Sequence, residues 1–212
     1  GQQWSQDAHG RAIWALGYLI TSPNIPEDFK REAEKIITLA VIASNEIHSP
    51  RALSFIIQGL YFYNKIANSS KTRKYISKLA DCLISLYKSV SNPSWRWFEP
   101  YMTYANSKLP EALLYAYLST GKRDYLDIGL ESLDFLLSQT FKEDLFVPVG
   151  QRGWYLKDGQ KSDYDQQPIE ASYMIQTLIL AYKISRDDKY KQYALQTFQW
   201  FVGKNTLNQV VY

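Results

Sequence analysis

The stretch YDQQPIEA, Tyr164 to Ala171, sets an acid, two amides, a proline and a second acid directly ahead of an apolar segment. Similar groups recur elsewhere in the chain. Four carboxylates are candidates for catalysis: Glu99, Glu111, Asp165 and Glu170, with Asp7 behind them. Around them fall candidate substrate-binding residues: Asp7, His9, Arg11, His48, Arg51, Trp95, Arg96, Trp97, Trp154, Gln166 and Gln167. Acids and amides hydrogen-bond sugar hydroxyls, and indole faces pack on the apolar C–H faces of a pyranose. The set therefore points to a carbohydrate ligand. Glycoside chemistry would pair two of the acids, about 6.5–9.5 Å apart for inversion or about 5–5.5 Å for retention.

Each residue also has a structural explanation. Glu111 and Glu170 fall in first helical turns, where the helix dipole favours acids. Asp165, just ahead of Pro168, suits a helix cap. Arg11 and Arg51 can pair with neighbouring acids. His9 and His48 lack HxxxH or HExxH spacing, so they read as structural and no metal site is expected. WRWFEP, Trp95–Pro100, is harder to explain as a plain loop. No cofactor is expected either, because glycine-rich phosphate loops, GxSxG and Cys/His nucleophile patterns are all missing.

Composition narrows the classes further. A net charge of +3 is too balanced to suggest nucleic acid. No run of apolar residues is long enough to span a membrane. No secretory leader is visible, which predicts a cytoplasmic protein. The abrupt ends, from Gly1 to Tyr212, predict a single domain over 1–212 excised from a longer chain. The single cysteine, Cys82, sits in an apolar pattern and reads as a buried small hydrophobe.

The elements that must position these groups are helical. Ala12–Ile20, Ala52–Tyr63, Ala112–Leu118 and Ala171–Tyr182 are apolar nearly all round; Asp28–Ser44, Arg73–Val90, Asp124–Gln139 and Lys189–Gly203 are half-polar. The two kinds alternate, with a period of roughly 40–60 residues, the size of a helix–turn–helix unit. Each apolar helix opens with a charged residue directly before an alanine: Arg11, Arg51, Glu111, Glu170. Buried helices inside and amphipathic ones outside predict an all-α fold, an (α/α) toroid of helical hairpins. A tetratricopeptide superhelix would need a strict 34-residue repeat, which is missing. Four hairpins rather than six predict an incomplete ring. The connections between hairpins, at 45–50, 91–110 and 140–168, enter inner helices at their N-termini, so the polar residues should gather on one face. Asp158-Gly159 predicts one short β-hairpin near Phe146–Tyr164.

Taken together, DAHGRAIWALG, HSPRA, WRWFEPYMTYANSKLPEALL, YLDIGLESLDFL, FVPVGQRGWY, YDQQPIEA and WFVGKN resemble a bacterial toroid domain related to the six-hairpin glycosidase superfamily. Such domains often follow a nucleotide-sugar glycosyltransferase region. The resemblance implies a carbohydrate context and a possible fused transferase outside this chain. It implies a carbohydrate-active toroid, glycosidase-like or transferase-associated. The alternative is a non-catalytic binding or scaffold module. A sugar 2-epimerase would need paired histidines, and His9 and His48 lie on different hairpins.

Overall fold

The computed structural model describes residues 5–210. Among these, eight α-helices form four hairpins: α1 (Gln6–Thr21) with α2 (Glu27–Ile42), α3 (Pro50–Ala67) with α4 (Ser70–Val90), α5 (Lys108–Thr120) with α6 (Arg123–Thr140), and α7 (Pro168–Ser185) with α8 (Asp188–Gln199). Starts and stops follow local chemistry. Ser5, Ser49 and Ser69 cap α1, α3 and α4 by accepting from the backbone N–H three residues on. Pro50 and Pro168 open α3 and α7. Asn68, Gly121 and Arg186 end α3, α5 and α7 in the left-handed conformation.

α1, α3, α5 and α7 pack side by side in that order, and each carries its hairpin partner. The two layers differ as the sequence predicts. In α3 every residue from Arg51 to Leu60 is buried, so that turn after turn has no solvent face. In α4 only one stripe is buried: Ile76, Leu79, Ala80, Leu83, Ile84 and Tyr87. Each isoleucine or leucine of that stripe contributes about 1.5–3 kcal/mol by leaving water.

Three expectations change. α1 reads apolar all round but buries only Gly10, Ile13, Gly17 and Ile20. It stands at the end of the inner row, so much of its remaining surface stays open. Cys82 is exposed; it points away from the α4 stripe, between Leu79 and Leu83. One small β-hairpin is present, but not near Phe146–Tyr164. Of the short strands β1 (Tyr101–Met102), β2 (Phe141–Lys142), β3 (Leu145–Phe146) and β4 (Tyr155–Leu156), β2 and β3 form the hairpin. β4 pairs antiparallel with β1, from the other long loop. The Asp158-Gly159 turn does form, with Gly159 N–H donating to Leu156 O at 2.9 Å. Its strand finds a partner far away in sequence, and so the two long loops are joined.

Candidate functional site

Under the joined loops lies a buried polar framework. Arg51 donates from Nη1 to Glu99 Oε2 at 2.6 Å, from Nε to the Tyr104 carbonyl at 2.6 Å, and from Nη2 to Asn106 Oδ1 at 3.5 Å. Glu170 accepts from the Ala105 N–H, and from the Asn106 N–H and side-chain amide, each at 3.4 Å. Ala105 takes a left-handed φ of 51°, part of the tight turn whose N–H groups reach one carboxylate. Asn106 thus links Arg51 to Glu170. Both acids are buried, Glu99 at 5% and Glu170 at 6% exposure. Burial pushes the Glu170 carboxyl up, while the N–H groups of Ala105 and Asn106 oppose that. Glu99 in turn pushes up the neighbouring Tyr101 phenol, with burial adding to it.

Above this framework is an open cleft of about 330 Å³, lined by Arg11, Tyr104, Gln151, Trp154, Gln167 and Tyr173 among others. Arg11 is held by Asp7 (Nε to Oδ2, 2.7 Å) and by the Tyr173 hydroxyl (2.6 Å), with its guanidinium 4.4 Å over the Phe55 ring. Gln167 donates to Gln151 at 2.7 Å. Trp154 reaches the cleft from a folded loop in which Gly150 N–H donates to Ser162 O at 2.7 Å and Ser162 N–H to Trp154 O at 2.9 Å. Glycine is required at 150, because a Cβ there would lie 1.9 Å from the Tyr164 carbonyl oxygen. Trp154 and Tyr104 tilt toward each other, with centroids 6.5 Å apart.

The other candidates lie elsewhere. Trp95 and Trp97 are buried at 3% and 0% exposure, so neither offers an indole face to a ligand. Trp95 Nε1 donates to the Glu99 carbonyl at 2.8 Å, which folds the WRWFEP loop inward. Arg96 points to the outer layer and pairs with Glu131 on α6. The His9 ring nitrogen Nε2 lies 3.0 Å from both Ala40 O and Ser44 Oγ, tying α1 to the end of α2. His48 is exposed, and its backbone N–H donates to Gln6 Oε1 at 3.0 Å. Asp165 caps no helix: the cap residue of α7 is Gln167, without a side-chain bond. Asp165 and Gln166 instead line a separate cleft of about 620 Å³ with Trp200 and Asn205. Gln166 Oε1 there accepts from Trp200 Nε1 at 2.9 Å. Among the described residues, no group of three or more His, Cys, Asp or Glu could hold a metal ion.

Glu111 sits deeper, between the inner helices. Its Oε2 accepts from Lys108 Nζ at 2.6 Å and from Thr177 Oγ1 at 3.4 Å. Lys108 is fully buried; it also donates to Gln176 Oε1 at 2.8 Å and Gln58 Oε1 at 3.5 Å. Its ammonium lies 4.5 Å from the ring centroids of both Trp14 and Tyr173. Burial pushes the Lys108 ammonium down and the Glu111 carboxyl up, and their mutual contact opposes both. Sequence reasoning missed Lys108, Asn106, Gln151 and Tyr173 as site residues. The spacing of Lys108 to Glu111, three residues inside one helix, was the available signal for the first.

A crystal structure of an unsaturated glucuronyl hydrolase specific for heparin is similar to this chain, with a TM-score of 0.69 and 16% identity over 91% of the chain. The match covers 56% of that hydrolase, so this chain spans little more than half its length. No protein-family model and no curated protein matches the sequence. The likeness establishes the architecture: an all-α, toroid-like fold of helical hairpins, four of them among the described residues.

Proposed function

We propose that this protein binds a glycan in the cleft walled by Trp154, Tyr104 and Tyr173, with Arg11, Gln151 and Gln167 supplying its hydrogen bonds. The supporting observation is that apolar ring faces and fixed polar groups share one open cleft while the acids beneath it are already engaged. Such a pairing of apolar surface with a few aimed polar groups is what a small-ligand site requires. Two-carboxylate hydrolysis needs two carboxyl groups facing the same bond. Glu99 is spent on Arg51, Glu170 on backbone N–H groups, and Glu111 on Lys108. Recognition is therefore better supported than bond cleavage.

One observation favours a hydrolytic reading. Asp7, beside Arg11 at the cleft, keeps Oδ1 buried with no hydrogen-bond partner. The similar fold of a hydrolase named for heparin makes acidic glycans the first class to test.

Titration with heparin oligosaccharides and with neutral oligosaccharides should show saturable binding to one of the two sets. Trp154→Ala should weaken it about tenfold or more, a loss of at least about 1.4 kcal/mol, with unchanged circular dichroism. Wild-type affinity in that variant would remove the cleft from consideration. Release of new reducing ends by the wild type, abolished in Asp7→Asn, would favour hydrolysis over recognition.

A further inference from the structure

The lumen between the inner helices is divided by an aromatic plug. Trp14 stacks on Phe55 with centroids 5.4 Å apart, and Tyr173 meets Trp14 edge-on at 5.9 Å. Arg11 bonds to Tyr173 on the side of the cleft described above. Lys108 lies against the rings of Trp14 and Tyr173. Further along the helices is a second cavity, of about 500 Å³, lined by Trp14, Gln58, Phe62, Glu111, Tyr115 and Gln176, with Tyr18 and Lys183 also contributing.

Two polar groups in this cavity have unused capacity. Glu111 is 97% buried by the complement of its 3% exposure. Its Oε2 serves Lys108 and Thr177, whereas its Oε1 accepts from none of the described residues. Gln176 is exposed; its Oε1 accepts from Lys108, and its Nε2, open to solvent, donates to none of the described residues. An acceptor and a donor are thus offered beside the rings of Trp14, Phe62 and Tyr115.

Charge selects the ligand. Lys108 already neutralises Glu111 at 2.6 Å, and Lys183 lines the same cavity, so an organic cation gains little. Lys183 lies in the last turn of α7, where the carbonyl end of the helix offsets part of its charge, and an anion would also meet the Glu111 carboxylate. What remains is a neutral molecule with an apolar face and vicinal hydroxyls. One hydroxyl would donate to Glu111 Oε1 and another accept from Gln176 Nε2.

We infer that this lower cavity is a second ligand site, taking a neutral pyranose ring, separate from the cleft that holds Trp154. It stands independently of the reading given to that cleft. The test is NMR titration of the protein with the methyl glycosides of glucose, galactose and mannose. At least one should shift the resonances of Glu111, Tyr115 and Gln176 and show contacts to the Trp14 indole. Gln176→Leu should weaken that binding about tenfold or more, and Trp154→Ala should leave it unchanged. If Gln176→Leu does not fold, Tyr18→Ala at the exposed rim reads the same site and should weaken binding several-fold. Absence of these shifts with all three glycosides overturns the inference, as does wild-type affinity in the folded Gln176→Leu or Tyr18→Ala variant. Tighter binding of methyl glucuronide or of glucosamine at these residues overturns the assignment to a neutral ring.

Discussion

Replacing Arg51 by methionine should destabilise the protein by about 3–5 kcal/mol, because it strands the Glu99 carboxylate in the core. For a chain of this size that corresponds to a fall in melting temperature of roughly 10 °C or more. Both partners are close to fully buried, at 5% and 6% side-chain exposure. Little solvent can enter to rescue the acid left behind. The double variant Arg51→Met/Glu99→Leu should recover most of the loss, since an apolar pair of similar volume removes the stranded charge. Arg51 also holds the Tyr104 carbonyl and Asn106, so the cleft loop should loosen in both variants. Thermal melts of the two single variants and the double decide the matter. A double variant no more stable than Arg51→Met would show that the loop contacts, rather than the ion pair, carry the energy.

The second large effect is expected where α1 and α3 touch backbone to backbone. A Cβ on Gly59 would lie 2.4 Å from the Ile13 carbonyl oxygen, and one on Gly17 would lie 2.2 Å from the Gly59 carbonyl oxygen. The atoms in the way are backbone, which cannot swing aside like a side-chain tip. Gly59→Ala should therefore cost about 3 kcal/mol, at the upper end for overpacking, despite the better helix propensity of alanine. It should also push Trp14 on α1 away from Phe55 and Tyr173 and so disturb the lumen plug. Gly121→Ala provides the control for crowding: no atom lies within 4 Å there, and its cost should come from the left-handed φ of 73° alone. Equal losses at Gly59 and Gly121 in denaturant melts would show that helix contact is not what selects glycine at 59.

Much of the architecture is legible in the sequence because burial leaves a period. A helix with neighbours on most sides, such as α3, must be apolar around its circumference, while one with a single covered face keeps a stripe. That contrast between Ala52–Tyr63 and Arg73–Val90 is enough to place α3 inside and α4 outside. The Asp158-Gly159 turn likewise acts through local chemistry and forms where it is read, although its strand pairs with β1 rather than within a hairpin. The same local reading fails for Cys82, because an apolar residue between two stripe positions looks like a member of the stripe.

Apart from the helix-spaced pairs Asp7–Arg11 and Lys108–Glu111, the site was decided by contacts that no spacing encodes. Arg51 meets Glu99, and Glu170 meets the turn at Ala105, only once the long loops fold back over the inner helices. Those pairings turn two candidate acids into framework. WRWFEP reads as a candidate ligand contact because two tryptophans on a loop must be packed or used. Its indoles are in fact core, since Trp95 finds an internal carbonyl for its N–H. Lys108 shows the limit most plainly. A lysine at the start of a helix reads as solvent-facing, and only a carboxylate, two amides and two aromatic rings converging from four helices stabilise its charge without water. Helical period is a property of neighbours along the chain. Compensation of a buried charge depends on neighbours in space, and those exist only after the helices have packed.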